Sequence, residues 1–393
     1  MDSIIKSILD TDLYKLSMSY AYMKLYPEAE GVFEFCDRNK VRRTQSDVEQ
    51  IIQYLKALEN LALTDEEYNW CRTHITYIPQ FYWEWLRGFR FDFDSSLVKV
   101  WLDDKHVLHM TVQDKLYRVT LWEIACLAIV SEVSNRAHVI NMGDVLKRLD
   151  EKIALSNEHS LTFSEFGTRR RFSYAVQDAV VKRLKDNALY CVGTSNVHLA
   201  MKYGMKPIGT VAHEWIMFHG AQFGYSNANY TSYEDWVKVY DGALGIALTD
   251  TYTSKAFFDT FTLKHAKLFD GVRHDSGDEY EFTQMAIDTY KKYGIDPKDK
   301  TIVFSNALTF PKYKEIADYC KGKIRCSAGI GTNLTCDTNT PSQNIVMKLM
   351  KCRMNAERPW VDCIKVSDDK GKVMGSPTEI QIANTELNLG IKL

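Results

Sequence analysis

The sequence predicts an α/β protein: a β/α-barrel-like domain in the carboxy-terminal part, preceded by a smaller α+β domain. Three observations carry this prediction. At 393 residues the chain exceeds what one hydrophobic core usually holds. Beyond about residue 160, seven apolar strand candidates alternate with helical segments, the order of parallel βαβ units. Charged or glycine-rich segments follow directly after those strands, where a parallel barrel gathers its loops at one mouth. The expected domains are residues 1–135, joined by 350–393, and residues 136–349.

In the first third, Ser46-Asp47-Val48-Glu49 reads as a capping box ahead of Ile51, Ile52, Leu55 and Leu58, whose spacing marks an amphipathic helix. Thr64-Asp65-Glu66-Glu67 opens a second helix the same way. Val98–Trp101, Val107–Met110 and Leu116–Val119 alternate as antiparallel strands do. The later strand candidates are Leu161–Phe166, Leu189–Val192, Pro207–Val211, Ala243–Leu248, Leu268–Val272, Thr301–Phe304 and Ile324–Ser327, with Ile345–Leu349 as an eighth. Between them, Ser173–Lys185 carries Val176, Ala179, Val180 and Leu184 on one helical face, and Ser276-Gly277-Asp278-Glu279 caps a helix ending near Gly294. An open doubly wound sheet is the alternative arrangement.

Composition removes several classes of function. Hydrophobic residues make up 45% and charged ones 25%, as in a globular protein. A net charge of -2 gives no footprint for nucleic acid or anionic membranes, so attraction for anions must be local. Lys6, Asp10 and Asp12 interrupt the amino-terminal apolar residues, which argues against a signal peptide and for a cytoplasmic protein. The apolar run Ile124–Val130 is too short to span a bilayer. Nine cysteines without a Cys-x-x-Cys pair argue for reduced core residues, not for a disulfide framework or zinc knuckle.

Gly329-Ile330-Gly331-Thr332-Asn333 offers backbone N–H groups and a hydroxyl to a phosphate, or is a plain tight turn. No P-loop is present, and Asp368-Asp369 follows Ile364 and Val366 in a run that Lys365 and Ser367 interrupt, with no phosphate loop after it. Of Arg169, Arg170 and Arg171, at least one should enter the mouth to meet a carboxylate or phosphate, unless the run is a solvated face. Arg273 with Asp275 suits a phosphate and sugar hydroxyls; Asp250 and Asp278 are metal or orientation candidates, and no side chain is assigned as a metal ligand. His213, at a strand end, is either a structural residue or a nucleophile whose second ring nitrogen a carboxylate holds, with Asp250 the chosen partner.

Several segments in order resemble the nicotinate phosphoribosyltransferase family: Asp10-Thr11-Asp12-Leu13-Tyr14-Lys15, Glu165-Phe166-Gly167-Thr168-Arg169-Arg170, Gly209-Thr210-Val211-Ala212-His213-Glu214-Trp215, Arg273-His274-Asp275-Ser276-Gly277-Asp278, Gly329–Thr335 and Lys365-Val366-Ser367-Asp368-Asp369. The resemblance implies transfer of a phosphoribosyl group from phosphoribosyl pyrophosphate (PRPP) to nicotinate, giving nicotinate mononucleotide for NAD biosynthesis. It also implies Mg²⁺, ATP as co-substrate, and a homodimer with active sites at the subunit interface. Tyr14 from the neighbouring subunit and Phe166 would sandwich the pyridine ring, and Arg169 would meet its substituent. Arg273 and Asp275 would surround the ribose and pyrophosphate, with Asn306 among the binding residues; Gly329, Gly331 and Thr332 would cradle the 5-phosphate. His213 falls on the family's phosphorylated histidine, with Asp250 and Asp275 in its catalytic set.

The nicotinamide-using relative places an aspartate where this chain has Ser195. Two like charges about 4 Å apart repel by roughly 4 kcal/mol at an effective dielectric of about 20, so Ser195 admits a carboxylate that an aspartate would repel. A quinolinate transferase would need a more basic pocket. Outside the group, a phosphate-binding barrel lyase would need a reactive lysine or acid/base pair at the strand ends, and a non-catalytic sensor would need none of these reactive positions.

Overall fold

The computed structural model describes residues 3–93, 97–369 and 372–390. The chain divides into two compact units, one formed by residues 1–23, 32–209 and 330–348, the other by 24–31, 210–329 and 349–393.

The first unit opens with helix Leu13–Leu25, which the sequence pattern missed. Its buried residues include Lys15, Ser17 and Ser19 beside Leu13, Leu16 and Met18, so no polar stripe betrays a helical period. Lys15 is fully buried and pairs with Glu123, which makes an ammonium tolerable there. Helix Gln45–Ala57 starts one residue before the expected cap: Thr44, not Ser46, accepts from Asp47 N, and Asp47 completes the box. The Thr64 box with Glu67 at Asp65–His74 is as expected. Strands Lys99–Leu102 and Leu108–Lys115 pair antiparallel, Lys99 opposite Thr111. Leu116–Val119 is instead a helical turn, because its neighbours lead straight into helix Trp122–Asn135. That helix is buried nearly all round, which accounts for its unbroken apolar run. The strand order in this unit's antiparallel sheet is 345–348, 32–37, Leu108–Lys115, Lys99–Leu102. Ile345 therefore begins a strand of that sheet and not an eighth barrel unit.

The same unit contains the parallel strands Phe163–Glu165, Cys191–Thr194 and Lys206–Pro207, neighbours in that order. The last keeps only two residues of the longer expected run, since Pro207 lacks an N–H for a ladder and Gly209 adopts φ 149°. Helix Tyr174–Asn187 follows the first strand, capped by Ser173 on Val176 N.

The second unit holds four parallel strands in the order Arg325–Ile330, Thr301–Phe304, Gly271–His274, Ile246–Leu248. All seven expected strands thus exist, and parallel strands followed by helices form the predicted α/β class. Leu268 ends helix Leu263–Leu268 and does not open a strand. Helix Glu279–Lys292 is capped by Asp278, whose carboxylate accepts from Tyr280 and Glu281 N–H, and not by Ser276. Trp215, Trp236, Tyr233, Tyr252, Tyr290 and Tyr313 fill this unit's interior. Six of the nine cysteines are buried, while Cys36 is exposed. Among the described residues, no helix is long and apolar enough to cross a membrane.

Candidate active site

The second unit brings most of its predicted residues together at its strand ends. Strand Gly271–His274 delivers Arg273 and, one residue beyond its end, Asp275; strand Ile246–Leu248 leads to Asp250; helix His213–Phe223 begins with His213. His213 Nδ1 lies 2.9 Å from Thr251 Oγ1, and Nε2 lies 3.1 Å from Asp275 Oδ2. Asp250 Oδ1 is 3.8 Å from Nε2. The carboxylate nearer the ring is thus Asp275 and not the chosen Asp250, whose carboxylate already accepts from Ser276 Oγ at 2.5 Å.

Lys365, quoted in the sequence motif without a role, donates from Nζ to His213 Nε2 at 2.8 Å and pairs with Asp250 Oδ2 at 3.2 Å. Its place between Ile364 and Val366 was the signal in the sequence, and its side chain is only 7% exposed. A neutral imidazole satisfies Thr251 and Lys365 together when its proton sits on Nδ1, leaving the Nε2 lone pair toward the ammonium. Burial and the Lys365 charge hold the His213 pKa down, to about 4, against the pull of Asp250 and Asp275. For Asp275, burial opposes ionisation, yet Arg273, the His213 bond and Lys365 keep its carboxyl well below the usual range. Asp250 is likewise held low by Lys365 and His213 despite burial.

Arg273 Nε donates to Ser305 Oγ at 2.9 Å, and Nη2 reaches Asp275 Oδ1 at 3.3 Å. Ser305 in turn donates to Asp275 Oδ1 at 2.8 Å, fixing the carboxylate between arginine and histidine. Asn306 Oδ1 accepts from Lys372 Nζ at 2.9 Å. Asp278 lies outside this set as a helix cap. One ligand atom each from His213, Asp250 and Asp275 lie within 4.8 Å of one another, and Asp250 Oδ1 is buried without a hydrogen-bond partner.

The first unit assembles the other predicted residues. The three arginines separate by role. Arg171 is fully buried, donates to both Asp10 oxygens at 2.7 and 3.0 Å, and is structural. Arg170 Nε donates to Ile345 O at 2.8 Å. Arg169, half-buried in the turn Thr168–Arg170, offsets with its charge part of the rise that burial gives the pKa of both Asp12 and Tyr14. Ser195 is fully buried and donates to Asp12 Oδ1 at 2.7 Å, while its carbonyl accepts from Leu13 N at 2.8 Å. Burial raises the Asp12 pKa although Ser195 and Arg169 offset part of it. Tyr14 is buried, and Phe166 is half-buried with its N–H on Ile330 O at 2.8 Å.

Beneath these residues lies Glu165, which the motif contained without assigning a role. Its carboxyl accepts from Gly167 N at 2.5 Å, Gln177 Nε2 at 3.1 Å and Thr194 Oγ1, and burial pushes its pKa up to about 7. Glu165 ties the turn bearing Phe166 and Arg169 to the strand end bearing Ser195. Gly331 and Thr332 open the short helix Thr332–Thr335, and a Cβ on Gly331 would stand 3.0 Å from Phe166 O, so only glycine fits without displacing backbone. Gly329 belongs to the second unit.

Comparison with known proteins agrees with these motifs. The nicotinate phosphoribosyltransferase (NAPRTase) family profile matches residues 161–390, and its N-terminal domain profile matches residues 9–131. A nicotinate phosphoribosyltransferase of Chromohalobacter salexigens is 41% identical over 98% of this chain and 99% of that protein. One from Methanosarcina mazei is 39% identical over 97% of this chain and 98% of that protein. The crystal structure of nicotinate phosphoribosyltransferase from Porphyromonas gingivalis superposes with a TM-score of 0.96 at 46% identity, covering 98% of this chain and 100% of that one. The chain belongs to the nicotinate phosphoribosyltransferase family.

Proposed function

We propose that this enzyme forms nicotinate mononucleotide and pyrophosphate from nicotinate and PRPP, a step of NAD biosynthesis, and couples it to ATP hydrolysis through a phosphorylated His213. The observation that carries the coupling is the held imidazole: a neutral ring with Nδ1 on Thr251 and Nε2 accepting from Lys365, and the Asp275 carboxylate 3.1 Å from the same nitrogen to face the charge that grows there. Nε2 attacks the γ-phosphorus of ATP, the Nε2–P bond forms and the bond to the ADP oxygen breaks. The positive charge that grows on the ring faces Asp275 and Asp250, while Lys365 faces the incoming phosphoryl oxygens. Hydrolysis of the phosphohistidine resets the ring.

In the transfer itself, the pyridine nitrogen bonds to ribose C1 as the C1–oxygen bond to pyrophosphate breaks. Arg273 stabilises the departing pyrophosphate, Asp275 holds the ribose, and Gly329, Gly331, Thr332 and Asn306 bind the rest of PRPP. Tyr14, Phe166, Arg169 and Ser195 receive nicotinate. Mg²⁺ suits the oxygen donors of Asp250 and Asp275, of which Asp250 Oδ1 is buried without a partner. When bound with substrate phosphates, it would supply charge neutralisation for the leaving group. A homodimer completing each site with the partner's Tyr14 belongs to the same proposal.

The test uses γ-labelled ATP: acid-labile label should appear on wild-type protein and not on His213→Ala. A His213→Ala enzyme that still couples ATP hydrolysis to product formation overturns the phosphohistidine. Sedimentation at enzyme concentrations used in the assay tests the dimer, and a monomer with full activity overturns it.

A further inference from the structure

Away from these residues, two thiols of the second unit face each other. Cys352, near the end of strand Ile345–Arg353, and Cys363, just beyond strand Val361–Asp362, bring their Sγ atoms to 3.4 Å, with both side chains fully buried. The register explains the encounter. Cys352 pairs with Val361 and Lys351 with Asp362, and Cys363 N–H donates to Met350 O at 2.7 Å. Cys352 and Cys363 therefore occupy diagonal positions on one face of an antiparallel pair, pointing into the same interior. The Gln222 amide donates to the Cys352 sulfur at 3.2 Å, which holds that thiol in place. Sequence spacing had argued only against a disulfide framework; the ten residues between the two cysteines fold back into a hairpin that spacing did not reveal.

We propose that Cys352 and Cys363 are a reversible dithiol–disulfide site, oxidised by a small disulfide such as oxidised glutathione. One thiolate attacks the reagent's disulfide, forming a mixed disulfide and releasing one reagent thiol. The second thiolate then displaces the remaining reagent thiolate, so the protein loses two hydrogens and two electrons to the reagent. A disulfide needs its sulfurs about 2.05 Å apart, so the pair must close by somewhat over 1 Å. The strand Val361–Asp362 is two residues long and pairs at the sheet edge, the part of a sheet that opens and shifts most readily. Both thiols are fully buried and burial pushes the Cys363 thiol well above its usual pKa, so the reagent reaches them, and a thiolate forms, only when this edge opens. Resting on the role given above to Lys365, we extend the proposal by one step: Cys363 lies two residues before Lys365, so closing the sulfurs shifts the segment that carries the ammonium and perturbs its 2.8 Å contact with His213.

The experiment incubates the full-length enzyme with oxidised glutathione, then blocks free thiols, digests without reduction and sequences the peptides. The expected result is a Cys352–Cys363 cross-linked peptide and an intact mass lower by two hydrogens, with loss of ATP-coupled activity that dithiothreitol restores. Cys352→Ser and Cys363→Ala, assayed separately so that one folded variant suffices, should keep activity under the same treatment. Unlinked thiols at these positions, or stable mixed disulfides at both, overturn the site. A cross-link with unchanged activity overturns the coupling through Lys365, whereas the γ-labelled ATP test above judges His213 independently.

Discussion

Ser195→Asp is the substitution whose consequence the structure makes most quantitative. Ser195 Oγ sits 2.7 Å from Asp12 Oδ1, and both residues are at most 1% exposed. An aspartate at position 195 therefore sets one buried carboxyl against another, with the hydroxyl donor lost. At about 4 Å and an effective dielectric of about 20, two carboxylates repel by roughly 4 kcal/mol. Asp12 already resists ionisation through burial, and a second carboxyl beside it resists ionisation further. The carboxylate of nicotinate then meets a site that has lost the Ser195 donor and gained an acid group, which repels it when ionised and donates to an amide oxygen when protonated. The ratio of kcat/KM for nicotinate over nicotinamide should fall by roughly 10- to 1000-fold, the upper bound being the full repulsion. The assay is paired steady-state kinetics with both pyridines, on variant protein shown to be folded by circular dichroism. Ser195→Ala serves as control: it removes the donor to Asp12 without adding charge and should leave the ratio within a few-fold of wild type. An unchanged ratio in folded Ser195→Asp would refute the argument that charge at this position selects the substrate.

Three further outcomes follow from the geometry. His213 is neutral in the fold down to about pH 4 but takes a proton near 6.5 when unfolded, so the unfolded state binds more protons between those values. Stability should be complete above pH 6.5 and decline by about 3 kcal/mol as pH falls to about 4; denaturation of His213→Gln should lack that share of the decline, and identical pH slopes for the two proteins would contradict it. Arg171→Met leaves the buried Asp10 carboxylate without its cation and should cost about 3–5 kcal/mol in urea melts, whereas Arg169→Met, at a half-buried site, should cost clearly less and raise KM for nicotinate about 10-fold or more; equal destabilisation by both would erase the distinction drawn between them. Gly331→Ala places a Cβ 3.0 Å from Phe166 O and should raise KM for PRPP more than KM for nicotinate; the reverse order removes Gly331 from the phosphate cradle.

Legibility in the sequence followed a physical divide between local signals and pairings made in space. Strand Thr301–Phe304 and the Thr64 cap were readable because apolar alternation and capping chemistry act within a few residues. Helix Leu13–Leu25 was not, since its polar residues are buried against distant partners such as Glu123 and Tyr117, and burial on all sides erases periodicity. The motif order found His213, Asp275 and Arg273, but adjacency in sequence gave no way to rank Asp250 over Asp275 as the ring's partner. What decided that ranking is Ser276, one residue after Asp275, whose hydroxyl engages Asp250 while Ser305 and Arg273 turn Asp275 toward the ring. Lys365 makes the point most sharply. Flanked by apolar residues it resembles a strand lysine, yet its charge adds to burial in keeping the imidazole neutral, lowers the Asp250 pKa, and adds to Arg273 in lowering that of Asp275. The same ammonium can bias the histidine toward nucleophilic attack only because folding spends a buried charge there, and Lys365→Met should accordingly raise the His213 pKa in an NMR titration; a fall or no change would mean that burial alone sets the ring's protonation.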